Sequence, residues 1–138
     1  MLRIRIENSR SRSGKHACRA LAFVVSKEGL EIREPIALRT ETVKPLYAKG
    51  FAYYLYTDLK DNELLVYVTL VKNLRNEVKG YIEVYTTDGT KVFRVKYVNG
   101  KIRCVFGNRR YWSVVEKVLM HLRIPYRRIN LGTGVCFE

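Results

Sequence analysis

Two dipeptides, Asp88-Gly89 and Asn99-Gly100, set the register of the middle of this sequence. Asp-Gly and Asn-Gly favour the positive φ angles of two-residue hairpin turns, whose twist matches that of the flanking strands. They separate three strand-like runs, Tyr81–Thr87, Thr90–Tyr97 and Lys101–Phe106. A three-stranded antiparallel meander is expected. A two-residue loop at Asn99-Gly100 sets Val98 opposite Lys101, Lys96 opposite Arg103 and Val95 opposite Cys104. A two-residue loop at Asp88-Gly89 sets Glu83 opposite Arg94 and Tyr81 opposite Lys96. Strand side chains alternate between faces. Ile82, Val84, Phe93, Val95, Ile102 and Cys104 therefore share a core face, and Tyr81, Glu83, Tyr85, Arg94, Lys96, Lys101 and Arg103 share the other.

The remaining elements follow from hydrophobic period and breakers. Leu2–Glu7 alternates and reads as a half-buried strand, and Ala17–Val25 as a buried one. Lys27-Glu28-Gly29 marks a turn. Leu30–Leu38 reads as a strand that Pro35 confines to an edge. Thr42 is placed to cap a helix whose apolar face is Val43, Leu46, Tyr47, Gly50, Phe51, Tyr54 and Leu55, with Pro45 in its first turn. Tyr53 and Tyr56 would then face away from the core, as a candidate self-association surface. Glu63–Val71 is apolar on both faces and should be a central strand. Asn108 caps a second helix with a stripe of Tyr111, Val114, Val115, Val118, Leu119 and Leu122. Trp112 sits beside that stripe and His121 on its flank. Ile124–Ile129 is a short strand, and Val135–Phe137 a last extended piece.

The fold class expected from this order is α+β, mainly antiparallel sheet with two helices, β-β-β-α-β then β-β-β-α-β. It suits a single compact domain over 1–138, with halves at 1–72 and 79–138 as a subdivision. The same order opens the ribonuclease-H-like fold, whose two-metal chemistry needs several converging carboxylates. Glu7, Glu41, Asp88 and Glu116 are the candidates, but the fourth strand offers only Thr69 where an acid is needed. A metal-dependent nuclease is thus the alternative reading, and catalytic residues are not assigned.

Charge narrows the function. Lys and Arg number 26 against 13 Asp and Glu, a net +13. Segment 1–20 carries +5, segment 21–93 is neutral and segment 94–128 carries +9. The chain contains no glutamine, as in heat-adapted proteins, but such proteins normally balance their cations with glutamate. A basic zone built from both ends of the chain is the footprint of a polyanion ligand. Lys96 facing Arg103 is unfavourable by a few tenths of a kcal/mol unless an anion is near. Cations interleaved with rings at Tyr81 and Tyr85 suit a single strand, phosphates meeting charges and bases stacking on rings.

Arg109 and Arg110, in the first turn of the second helix, together with its free N–H groups could hold a phosphate. Lys117, Arg123, Arg127 and Arg128 continue that basic surface, the last two on opposite faces of a strand. Arg10, Arg12 and Lys15 lie in an Arg/Ser loop suited to a flexible arm. The expected function is therefore a largely sequence-tolerant nucleic-acid-binding protein, for RNA or DNA. A structural subunit docking on an acidic partner is a second alternative, and a homodimer or larger assembly is compatible with either.

No cofactor or metal is expected. His16, Cys18, Cys104 and Cys136 lack the close spacing of zinc ligands. Three widely spaced cysteines in apolar settings read as reduced thiols in a cytoplasmic protein. No apolar run approaches the ~18 residues of a membrane span, and the alternating Met1–Ile6 does not read as a secretory leader.

Overall fold

A computed structural model describes residues 2–8, 17–29, 31–33, 39–43, 51–57, 59–129 and 136. Ten strands and one α-helix are described. The strands are β1 (Leu2–Asn8), β2 (Ala17–Ser26), β3 (Ile32–Arg33), β4 (Arg39–Val43), β5 (Phe51–Thr57), β6 (Glu63–Lys72), β7 (Val78–Tyr85), β8 (Lys91–Val98), β9 (Lys101–Gly107) and β10 (Arg127–Arg128). A 3-10 turn at Arg109–Tyr111 leads into α1 (Trp112–His121). Seven strands form one mixed sheet in the order β10-β9-β8-β7-β6-β2-β3, and β1-β5-β4 form a separate antiparallel sheet. The short β3, the described part of the Leu30–Leu38 run, is an edge strand as Pro35 required, while β6 is central.

The expected fold class is wrong in one decisive respect. Among the described residues there is a single short helix on a seven-stranded sheet rather than two helices in a repeated β-β-β-α-β order. At the two ends of the expected first helix, Thr42 and Val43 close β4 and residues 51–55 lie in β5, while residues 44–50 lie outside the described residues; β5 pairs with β1 on one side and β4 on the other. The sequence FAYYLYT explains this. Aromatic rings fit a pleated surface but lose χ1 freedom against a helical turn, and Gly50 further weakens a helix. Spacing at i, i+3 and i+4 gave no discrimination, because apolar residues fall on both faces of this run under either period. With that helix the element order shared with ribonuclease-H-like enzymes also goes, and Glu41 lies in β4.

The meander matches its expected register in detail. Val98 faces Lys101, Lys96 faces Arg103, Val95 faces Cys104, Glu83 faces Arg94 and Tyr81 faces Lys96. At Asn99-Gly100 both residues have positive φ, 46° and 85°, as a two-residue turn demands. The other turn differs from expectation. Thr86 N–H donates to the Thr90 carbonyl at 3.0 Å, so the loop has three residues, Thr87-Asp88-Gly89. Asp88 is held there by hydrogen bonds from the Thr86 hydroxyl and the Thr90 N–H, which keep its carboxyl below the usual range. Such a loop shifts the register by one, and a bulge next to Val84/Tyr85 restores it before Glu83 meets Arg94.

The core lies between α1 and the sheet. Val114, Val115, Val118 and Leu119 pack on Ile82, Val84, Phe93, Val95 and Ile102, with Val66 and Val68 of β6. Trp112 meets the Phe93 ring edge-on at 5.4 Å, so its role is packing. Asn108 caps this unit as expected, its Oδ1 accepting from the Arg110 N–H at 3.0 Å. Arg33 and Glu63 add a two-pronged ion pair at 2.9 and 3.0 Å. Burial opposes ionisation of Glu63, but the Arg33 guanidinium and the Lys60 N–H outweigh it and hold the carboxyl below its ordinary value.

The cysteine reading also needs correction. Cys104 and Cys136 are paired as a disulfide, with Cα atoms 5.9 Å apart, inside the range such a bond requires. Neither is a free thiol. No helix among the described residues is long and apolar enough to cross a membrane.

Candidate nucleic-acid interface

The seven-stranded sheet has two unlike faces. One is covered by α1. On the other, side chains follow from cross-strand pairs. Thr69, Tyr81, Lys96 and Arg103 form one row across β6 to β9, and Lys79, Val98, Lys101 and Arg127 form the next across β7 to β10. The last strand, β10, extends the face because it pairs parallel to β9, with Arg127 N–H donating to the Gly100 carbonyl at 2.7 Å. Lys101 and Arg127 are exposed, and Lys96 and Arg103 half-buried. Among the described residues no carboxylate pairs with any of these four, whereas Lys79 has Glu77 at 3.8 Å.

Towards β6 the same face closes over. Glu83 is only 5% exposed, with Lys91 at 2.5 Å and Arg94 at 3.9 Å. Tyr85 is 3% exposed in a small second core with Ala22, Val24, Leu65 and Tyr67, against which Leu59 packs. Burial, followed by the neighbouring Glu83 carboxylate, pushes its phenol well above the usual range. Tyr85 therefore cannot serve as the stacking ring expected of it. Its position across from Leu65 on a long-range strand pair, invisible to the local pattern, is the reason. Tyr81 stays partly accessible, but the Arg94 guanidinium lies over its ring at 3.9 Å from the centroid.

The remaining expected site residues divide by layer. Arg109, Arg110, Lys117 and Arg123 belong to the helix layer, on the other side of the sheet from Lys96 and Arg103. Arg110 donates to the Tyr111 hydroxyl at 2.8 Å and covers its ring. Arg127 and Arg128 do point to opposite faces. Arg128 pairs with Glu116 and lies over Trp112 at 4.6 Å, so it is occupied on the helix side. Arg10, Arg12 and Lys15 lie outside the described residues, as do His16 and the Val135 and Phe137 ends of the last extended piece. Among the described residues no cluster of three or more His, Cys, Asp or Glu could hold a metal ion.

No family model, curated protein or solved structure matches the chain.

One ring that sequence reading overlooked belongs to the basic face. Simple alternation from Ile102 and Cys104 would send Phe106 into the core. A bulge between Arg94 and Val95 sets Phe106 opposite Arg94 instead, and Phe106 is 44% exposed. Gly107, with φ of 110°, takes the core-side place opposite Phe93. The glycine carries the one available signal, since a glycine ending a strand often marks a bulge.

Proposed function

We propose that the protein binds nucleic acid, with little regard to sequence, through the sheet face opposite α1. One observation carries this reading. Lys96, Lys101, Arg103 and Arg127, from three adjacent strands, share one sheet face, with Lys101 and Arg127 exposed, and have no carboxylate partner among the described residues. Facing cations are mutually destabilising when nothing neutralises them. A row of phosphates would do so and release its counterions. Lysine and arginine side chains meet phosphates whatever the base sequence, so contacts to the backbone supply the affinity.

The helix-layer arginines are assigned no part in this face. An intracellular location goes with such a ligand. The Cys104–Cys136 disulfide is compatible with it in a heat-adapted protein, since intracellular proteins of hyperthermophiles do keep disulfides. The test is a filter-binding titration with labelled oligonucleotides over a range of salt. We expect binding at ~50 mM salt and a log–log slope of about −3 to −5, as four to six phosphate contacts imply. Absence of binding at ~50 mM salt would overturn the proposal.

A further inference from the structure

We infer that the ligand of this face is a single strand rather than a duplex, and that Phe106 is the ring on which one of its bases stacks. This inference rests on the reading of the face as a nucleic-acid site. Of the rings expected there, Tyr85 is buried and Tyr81 is covered on one side by Arg94. Phe106 is the exposed ring of the face among the described residues. The bulge that turns it out of the core also places it across from Arg94, on the same strand as Arg103 and Lys101. A phenyl ring offers nothing to phosphates. It does match the π-face of a base, and every base has one, so the contact tolerates any sequence.

Duplex bases stack on one another and present only edges in the grooves, so a sheet-borne ring finds no base face on a duplex. Unpaired bases can be splayed onto aromatic rings and onto guanidinium planes. Phe106 and Arg94 sit on adjacent strands about 5 Å apart. The Tyr81 ring is already stacked on the Arg94 guanidinium at 3.9 Å, so Phe106 is the ring left to receive a base. The cations at Lys96, Lys101, Arg103 and Arg127 then follow the backbone.

The experiment compares a labelled single strand with a duplex of equal length by fluorescence anisotropy, for the wild type, Phe106→Ala, Phe106→Tyr and Phe106→Leu. Phe106 is exposed enough for these variants to fold, which thermal melts would verify. The wild type is expected to bind the single strand more tightly than the duplex. Phe106→Ala should lose about 5- to 100-fold on the single strand, the range of one stacked base, and less than about 2-fold on the duplex. Phe106→Tyr should bind as the wild type, and Phe106→Leu should resemble Phe106→Ala. Equal affinity for both ligands with Phe106→Ala unchanged would overturn this inference and leave the site standing. Retention by Phe106→Leu would also overturn it, since the contact would then be apolar without stacking. Binding to neither ligand by any variant would overturn the underlying reading itself.

Discussion

Replacing Lys96 and Arg103 together by glutamate is expected to weaken oligonucleotide binding at ~50 mM salt by about 30-fold or more. The same pair of reversals at Arg109 and Arg110 should change it by less than about 5-fold. Both double variants alter net charge equally, so bulk attraction falls equally, and any difference reports position. Lys96 and Arg103 face each other across β8 and β9 on the sheet face opposite α1, whereas Arg109 and Arg110 belong to the helix layer, with Arg110 engaged by Tyr111. The variant at Lys96 and Arg103 should also flatten the salt dependence by about 2, one for each phosphate contact removed. Lys96→Glu alone sets opposite charges across the strand pair, which should stabilise the fold by a few tenths of a kcal/mol. Weak binding by a protein of undiminished stability cannot be blamed on unfolding. Equal losses from the two double variants would show that charge acts only in bulk.

Gly80→Ala is expected to be strongly destabilising. Gly80 lies in β7 opposite Leu70 of β6 and Tyr97 of β8. A Cβ built there would come within 1.7 Å of the Thr69 carbonyl oxygen and 2.8 Å of its carbon. Both are backbone atoms, so no rotamer change relieves the overlap and β6 must move from β7. Those two strands carry Val66, Val68, Ile82 and Val84 of the main core. A loss of about 3 kcal/mol or more is expected, at the high end for a single substitution. Gly100→Ala provides the contrast. There the nearest atom is the Pro125 carbonyl oxygen at 3.9 Å, and only the positive φ of 85° resists, at about 1–2 kcal/mol. Urea denaturation of the two variants measures the difference. If Gly80→Ala costs less than Gly100→Ala, the close approach of β6 and β7 is not as described.

What the residues revealed in advance, and what they hid, divides along physical lines. The β8–β9 register was legible because Asn99-Gly100 permits one turn geometry, and the helix after Asn108 because cap and apolar stripe agree. The hairpin at Asp88 gave the right partners for Glu83 and Tyr81 only because a bulge offsets its extra loop residue. The β4–β5 segment was misread because aromatic residues spaced for a helix also cover both faces of a strand. Tyr85 and Phe106 exchanged roles for a related reason. The first is buried by Leu65 and Val24, distant in sequence, and the second is turned outward by a bulge. Neither a long-range partner nor a bulge leaves a mark in local period. The Cys104–Cys136 pairing, 32 residues apart, is equally invisible to spacing.

Which side of the large sheet meets the ligand can be read directly by lysine acetylation of the protein, free and saturated with a single-stranded oligonucleotide, followed by peptide mass spectrometry. We predict strong protection of Lys96 and Lys101, on the face opposite α1, and unchanged labelling of Lys117 on the helix. Protection of Lys117 with undiminished labelling of Lys96 and Lys101 would contradict the account.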